Sequence, residues 1–253
     1  MFFRTESFQQ FVRTYPIVTT LVSIHLFLWV IIDLFQLNIG MQIYQWGAGV
    51  NLMIDNGEYW RLITPIVLHA GLMHALFNSF SLVLFGPALE QMLGKFKFIV
   101  AYFFAGIVGN LFTYVMDPTA FYPYVGASGA IYGLFGIYLF MTIFRKHLID
   151  QANGQIILTI FIIGMIMSFL RTNINIYAHI FGFIGGFAIA PVVLRNARPF
   201  NIWSNRSVHQ GGGVNFNPNR WKGNRWRNKQ RLNKVVWVLL GALVLLGLFN
   251  RLF

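Results

Sequence analysis

The sequence predicts an all-α, polytopic membrane protein with six core helices and a seventh at its C-terminus. Three observations carry this. Of 253 residues, 57% are hydrophobic and only 10% charged, where a soluble domain carries about 25% charged. The apolar residues gather in seven stretches, at 17–37, 69–93, 98–116, 126–144, 155–170, 176–194 and 235–249. The connections between them sort their basic residues to one side of a bilayer, as membrane insertion requires.

The elements follow in order. Residues 1–16 form a short cytoplasmic segment carrying Arg4 and Arg13. The first stretch starts beside Pro16 and is too long for the apolar region of a signal peptide. It reads as a transmembrane helix, since about 17–25 helical residues cross the hydrocarbon core. The 38–68 connection is rich in Gly, Trp and Tyr and reads as a non-helical loop lying in the outer interface. The second to sixth stretches complete a six-helix core over 17–194. The fourth and fifth lie near the short limit, which close helix packing accommodates. Residues 195–234, rich in Asn, Gly, Arg and Trp, read as a cytoplasmic linker with little packed structure. The seventh stretch, within 235–253, is the shortest span.

Charge fixes the orientation. Up to Leu194 there are eight bases and seven acids; from Arg195 onward there are eleven bases and no acid. With the N-terminus in the cytoplasm, sixteen bases face inward and three, Arg61, Arg171 and Arg251, face outward. The basic stretch Arg195–Lys234 suits anionic lipid better than nucleic acid, because it is tethered between two membrane segments. The absence of Cys excludes disulfides, thiolate metal sites and cysteine nucleophiles.

Polar side chains inside a membrane are costly and mark candidate sites. They are His25, Asp33, His69, His74, Asn78, Glu90, Asn110, Ser128, Ser168 and His179. The second, fourth and sixth helices all run from outside to inside. His74, Ser128 and His179 lie near their starts, hence at similar depth below the outer surface. Asn78 sits one turn below His74 on the same face. Gly126-Ala127-Ser128-Gly129 opens a helix, where unpaired N–H groups and a positive dipole end favour a developing oxyanion. A serine needs a base, and His179 is the imidazole within reach on the sixth helix. Gly182 and Gly186 there, and Gly129, Gly133 and Gly136 on the fourth, let the two helices approach closely. A Gly-x-Ser-Gly alone is common in membrane helices; serine, imidazole and amide at one depth on three like-oriented helices is a far narrower pattern.

Taken together, these motifs resemble the rhomboid intramembrane serine proteases. The matching residues are Trp60-Arg61, His69-x4-His74-x3-Asn78, Glu90-x3-Gly94, Gly126-Ala127-Ser128-Gly129-x2-Tyr132 and Ala178-His179-x2-Gly182-x3-Gly186. The family often has Gly where Ile174 stands and Arg where Met92 stands. The resemblance implies a rhomboid-like six-helix bundle and a serine endopeptidase that cuts transmembrane or membrane-anchored substrates near the outer face. It implies Ser128 as nucleophile and His179 as general base, a dyad with no acidic third member. It implies His74 and Asn78, with the Ser128 N–H, as oxyanion donors. Tyr132 would pack on the His179 ring, and Gly126 would keep the preceding loop open.

Leaving out the acid has a physical logic, because a buried carboxylate costs several kcal/mol unless paired. Slow turnover is the expected penalty. His147 and His209 read as solvated loop residues, His25 and Asp33 as packing or boundary residues without a shared site. Arg61 reads as a structural donor and Glu90 as a cap at the inner boundary. A zinc site from His69, His74 and His179 lacks the H-E-x-x-H base, so neither metal nor cofactor is expected, only water. The alternative function is a non-proteolytic rhomboid-like binder or chaperone of membrane proteins, which would be expected to lack the serine or the histidine. The expected location is a plasma membrane, multi-pass and bacterial.

Overall fold

In hydrocarbon every backbone N–H and C=O must bond within the chain, and a helix achieves this alone. The computed structural model describes residues 6–171 and 174–201. Among them the chain forms α1 (Phe8–Thr14), α2 (Pro16–Trp29), α3 (Asn38–Gly47), α4 (Asn51–Asp55), α5 (Leu72–Leu93), α6 (Lys95–Met116), α7 (Ser128–Phe144), α8 (Gln151–Leu170) and α9 (Ile176–Val193). No strand occurs among the described residues beyond an isolated antiparallel bridge between Gly49 and Tyr124. The 195–234 linker beyond Asn201 and the seventh helix expected within 235–253 lie outside the described residues.

Five helical runs are long and apolar enough to cross a membrane: Pro16–Leu34, α5, α6, α8 and Ile176–Asn196. In the first, α2 continues as a π-helical turn over Val30–Leu34. Pro16 occupies the first turn of α2, where its missing N–H costs nothing. The next N–H groups of that turn are capped from another helix: Glu90 of α5 accepts from Ile17 N and Val18 N, both at 2.9 Å. Helix α7 has 17 residues and is the central one, with Gly129 to Tyr138 buried without a break. Surrounded by protein, it need not match the lipid thickness itself.

The contact between α7 and α9 is backbone on backbone. A Cβ on Gly182 would overlap the Gly129 carbonyl, one on Gly186 the Gly133 carbonyl, and one on Gly136 the Phe183 carbonyl. The small residues on both helices therefore do what their spacing suggests: they remove the side chains that would hold the axes apart.

The 38–68 connection differs from the expectation of a non-helical loop. It contains α3, α4 and two 3-10 turns, Tyr59–Leu62 and Thr64–Val67. Its pattern is inverted. The buried residues of α3 are Gly40 and Gly47, while Ile39, Met41 and Trp46 are exposed. A Cβ on Gly40 would strike the Ile31 carbonyl. A search for a large apolar inward face misses a helix whose inward face is glycine. Tyr59, Trp60 and Ile63 are also exposed, as suits an interfacial segment. Trp60 stacks on Trp46 and its Nε1 donates to Trp46 O at 3.0 Å. Arg61, buried, donates to Gln45 O at 2.9 Å, Ala48 O at 2.6 Å and Glu58 Oε2 at 2.6 Å. It is the knot of this segment.

Candidate active site

Three helices begin at one end of the bundle. Ser128 is the first residue of α7, His179 the fourth of α9 and His74 the third of α5. Helix α9 is started by Asn175, whose Oδ1 accepts from Ala178 N at 3.1 Å. The same oxygen accepts from Thr113 Oγ1 of α6 at 3.1 Å. This fixes the turn that carries His179.

The segment before Ser128 is tied to the 38–68 connection. Gly49 N donates to Tyr124 O at 2.9 Å, Tyr124 N to Gly49 O at 2.8 Å, and Gly126 N to Pro65 O at 2.9 Å. Gly126 lies at φ +136°, in the region that favours glycine. A Cβ there would come within 2.7 Å of His74 Nε2 and 3.6 Å of Ser128 Oγ. His74 and Ser128 thus border the same space above Gly126.

The central pair is Ser128 Oγ and His179 Nε2, 2.7 Å apart. The His179 ring stacks on Tyr132 of α7, centroids 4.2 Å apart and planes 20° apart. Asn78 is buried one turn below His74 and donates through Nδ2 to His74 O at 2.9 Å. Ser128 and His74 keep partial exposure, while His179 and Tyr132 are buried. A hydroxyl that can be reached, backed by a held imidazole, is the arrangement acyl transfer needs.

Three further polar residues connect to this region. His25, expected in a packing or boundary role, is fully buried with its ring 4.6 Å from that of His69, which is 5.1 Å from His74. Asp33 accepts from Gly71 N at 3.3 Å, just before α5. Ser168 of α8 approaches His179 Nδ1 to 2.8 Å. The signal for Ser168 lies in the direction of its helix. Helix α8 runs opposite to α7 and α9, so its last turn reaches the level at which they begin. Among the described residues no group of three or more His, Asp or Glu could hold a metal ion.

A hydroxyl and an imidazole at the mouth of an apolar helical bundle define a class, the membrane-embedded serine hydrolases. Comparison with known proteins narrows it. Residues 56–196 match the family model described as Rhomboid domain. The chain is 50% identical over 193 residues to a putative rhomboid protease, YdcA, of Bacillus subtilis, covering 75% of this chain and 94% of that one. It is 42% identical over 144 residues to the rhomboid protease GluP of the same organism, covering 57% of this chain but 28% of that longer one. It is 33% identical over 186 residues to the chloroplastic RHOMBOID-like protein 9 of Arabidopsis thaliana, covering 69% and 40%. The chain belongs to the rhomboid family: it is a multi-pass helical membrane protein and a serine intramembrane protease.

Proposed function

We propose that this protease cleaves transmembrane or membrane-anchored proteins near the outer membrane face through Ser128 and His179. The observation that carries this reading is the 2.7 Å contact between Ser128 Oγ and His179 Nε2. The basic residues of the connections support an N-terminus in the cytoplasm, which turns the start of α7 outward.

The chemistry follows from the groups. Ser128 Oγ attacks the scissile carbonyl carbon as its proton passes to His179 Nε2. The carbonyl oxygen becomes an oxyanion near the start of α7, where the Ser128 N–H, His74 and Asn78 serve as donors. His179 returns the proton to the leaving amine, the C–N bond breaks, and an acyl group remains on Ser128. Water, deprotonated by His179, attacks that ester; the C–O bond to Ser128 breaks as His179 returns the proton to Ser128 Oγ, and the new carboxyl group is freed. Tyr132 holds the imidazole plane by stacking, at less desolvation cost than a buried carboxylate. Water is the only co-reactant, and no cofactor is required.

The reading extends to location and surroundings. It places the chain in a bacterial plasma membrane, supported by the sorting of its basic residues. The bases of Arg195–Lys234 would meet anionic headgroups on the cytoplasmic side, each worth about 1 kcal/mol.

Cleavage of a single-span membrane substrate in proteoliposomes tests the assignment. Ser128→Ala and His179→Ala each lose cleavage while remaining folded, as judged by a cooperative thermal unfolding transition. Cleavage at the wild-type rate by folded Ser128→Ala would overturn it.

A further inference from the structure

Both ring nitrogens of His179 are engaged, and the second one meets a group outside the Ser128 pair. Nδ1 lies 2.8 Å from Ser168 Oγ. Ser168 is only 3% exposed, although it stands on α8, the membrane-spanning run least buried in the bundle, with 17% of its apolar window covered. Its oxygen has two more neighbours: Gly164 O at 2.8 Å and Tyr132 Oη at 3.2 Å. Gly164 also makes room for that phenol, because a Cβ there would lie 2.7 Å from Tyr132 Oη.

Hydrogen-bond counting fixes the protons. A serine hydroxyl has one proton and two lone pairs. The Gly164 carbonyl can only accept, so the Ser168 proton goes there. The two lone pairs of Ser168 then receive Tyr132 O–H and His179 Nδ1–H. A neutral imidazole carries one N–H. With that hydrogen on Nδ1, Nε2 presents its lone pair to Ser128 Oγ, as a base acting on Ser128 requires.

We propose that Ser168 is a positioning residue, which fixes the tautomer and ring plane of His179 through Nδ1. The inference rests on the Ser128–His179 assignment above. In a Ser-His-Asp triad a carboxylate sets the tautomer. Here a neutral hydroxyl backed by the Gly164 carbonyl sets it, and the same oxygen still accepts from Nδ1–H when His179 carries the second proton. In the resting state the site therefore buries no charge.

The test uses the full chain in lipid nanodiscs, with 15N-labelled histidine and a transmembrane substrate. In wild type the His179 15N shifts report a protonated Nδ1 and a bare Nε2. Ser168→Ala shifts the tautomer mixture toward Nε2–H and lowers kcat about tenfold, the loss of one hydrogen bond's worth of ordering, with KM unchanged. Ser168→Thr, which keeps the hydroxyl, holds kcat within about twofold of wild type. A wild-type His179 protonated on Nε2 overturns the proposal, whether or not the alanine variant folds. So does a folded Ser168→Ala with unchanged kcat and tautomer. Ser128→Ala in parallel separates the two claims: if it still cleaves, the Ser128 assignment fails, while the 15N shifts of wild type still judge the Ser168–His179 contact.

Discussion

Gly126 shows how much of the site depends on an atom that is missing. At φ +136° a side chain is strained at a cost of about 1–3 kcal/mol. The added methyl of Gly126→Ala would also press on His74 Nε2 from 2.7 Å. Both effects move His74, the proposed oxyanion donor beside Ser128. Loss of one oxyanion donor typically costs about 10²–10³-fold in kcat. We therefore expect Gly126→Ala to lower kcat about a hundredfold and the unfolding midpoint by a few degrees, measured by substrate cleavage and thermal denaturation. A rise in KM with kcat unchanged would mean that His74 acts in substrate binding instead. The same residue illustrates what was legible in the sequence. Glycine before Ser128 was visible as an opening; that the ring it spares is His74 required the tether from Gly126 N to Pro65 O.

The α7–α9 contact is the structural reason that Ser128 and His179 meet. Their carbonyls and glycines interlock with no side chain between, at Gly129 with Gly182 and Gly133 with Gly186. Gly186 lies two turns below His179, away from the reacting atoms. Gly186→Val would force the axes apart and overpack the seam, costing about 3 kcal/mol. We expect a lower thermal midpoint together with loss of cleavage, both measured on the reconstituted protein. Unchanged stability would show that the helices have slack that their backbone contact denies. This seam was readable from the glycine spacing alone. Helix α3 was not, because its inward face is Gly40 and Gly47 while its large apolar side chains Ile39, Met41 and Trp46 are exposed. Ser168 stands out as a costly polar group, but its partner is hidden from the sequence because α8 ends, rather than starts, at the level of Ser128 and His179.

Among the described residues few polar groups are buried, and most of them have a partner. Glu90 caps α2, Arg61 knots the outer segment, Asn175 starts α9, and Asn110 donates to Leu62 O at 2.9 Å. Together they hold the turns that carry Ser128 and His179 at one end of an otherwise apolar bundle. Hydropathy made the spanning helices plain, since a bilayer demands long apolar runs. It could not show the order within 38–68, where amphipathic pieces lie along the surface instead of crossing. The most direct test of the central claim is covalent trapping. The intact protein in lipid is treated with a fluorophosphonate and the adduct mapped by peptide mass spectrometry. The account predicts one adduct, on Ser128, that disappears in His179→Ala. An adduct on another serine, or undiminished labelling of Ser128 without His179, would contradict it.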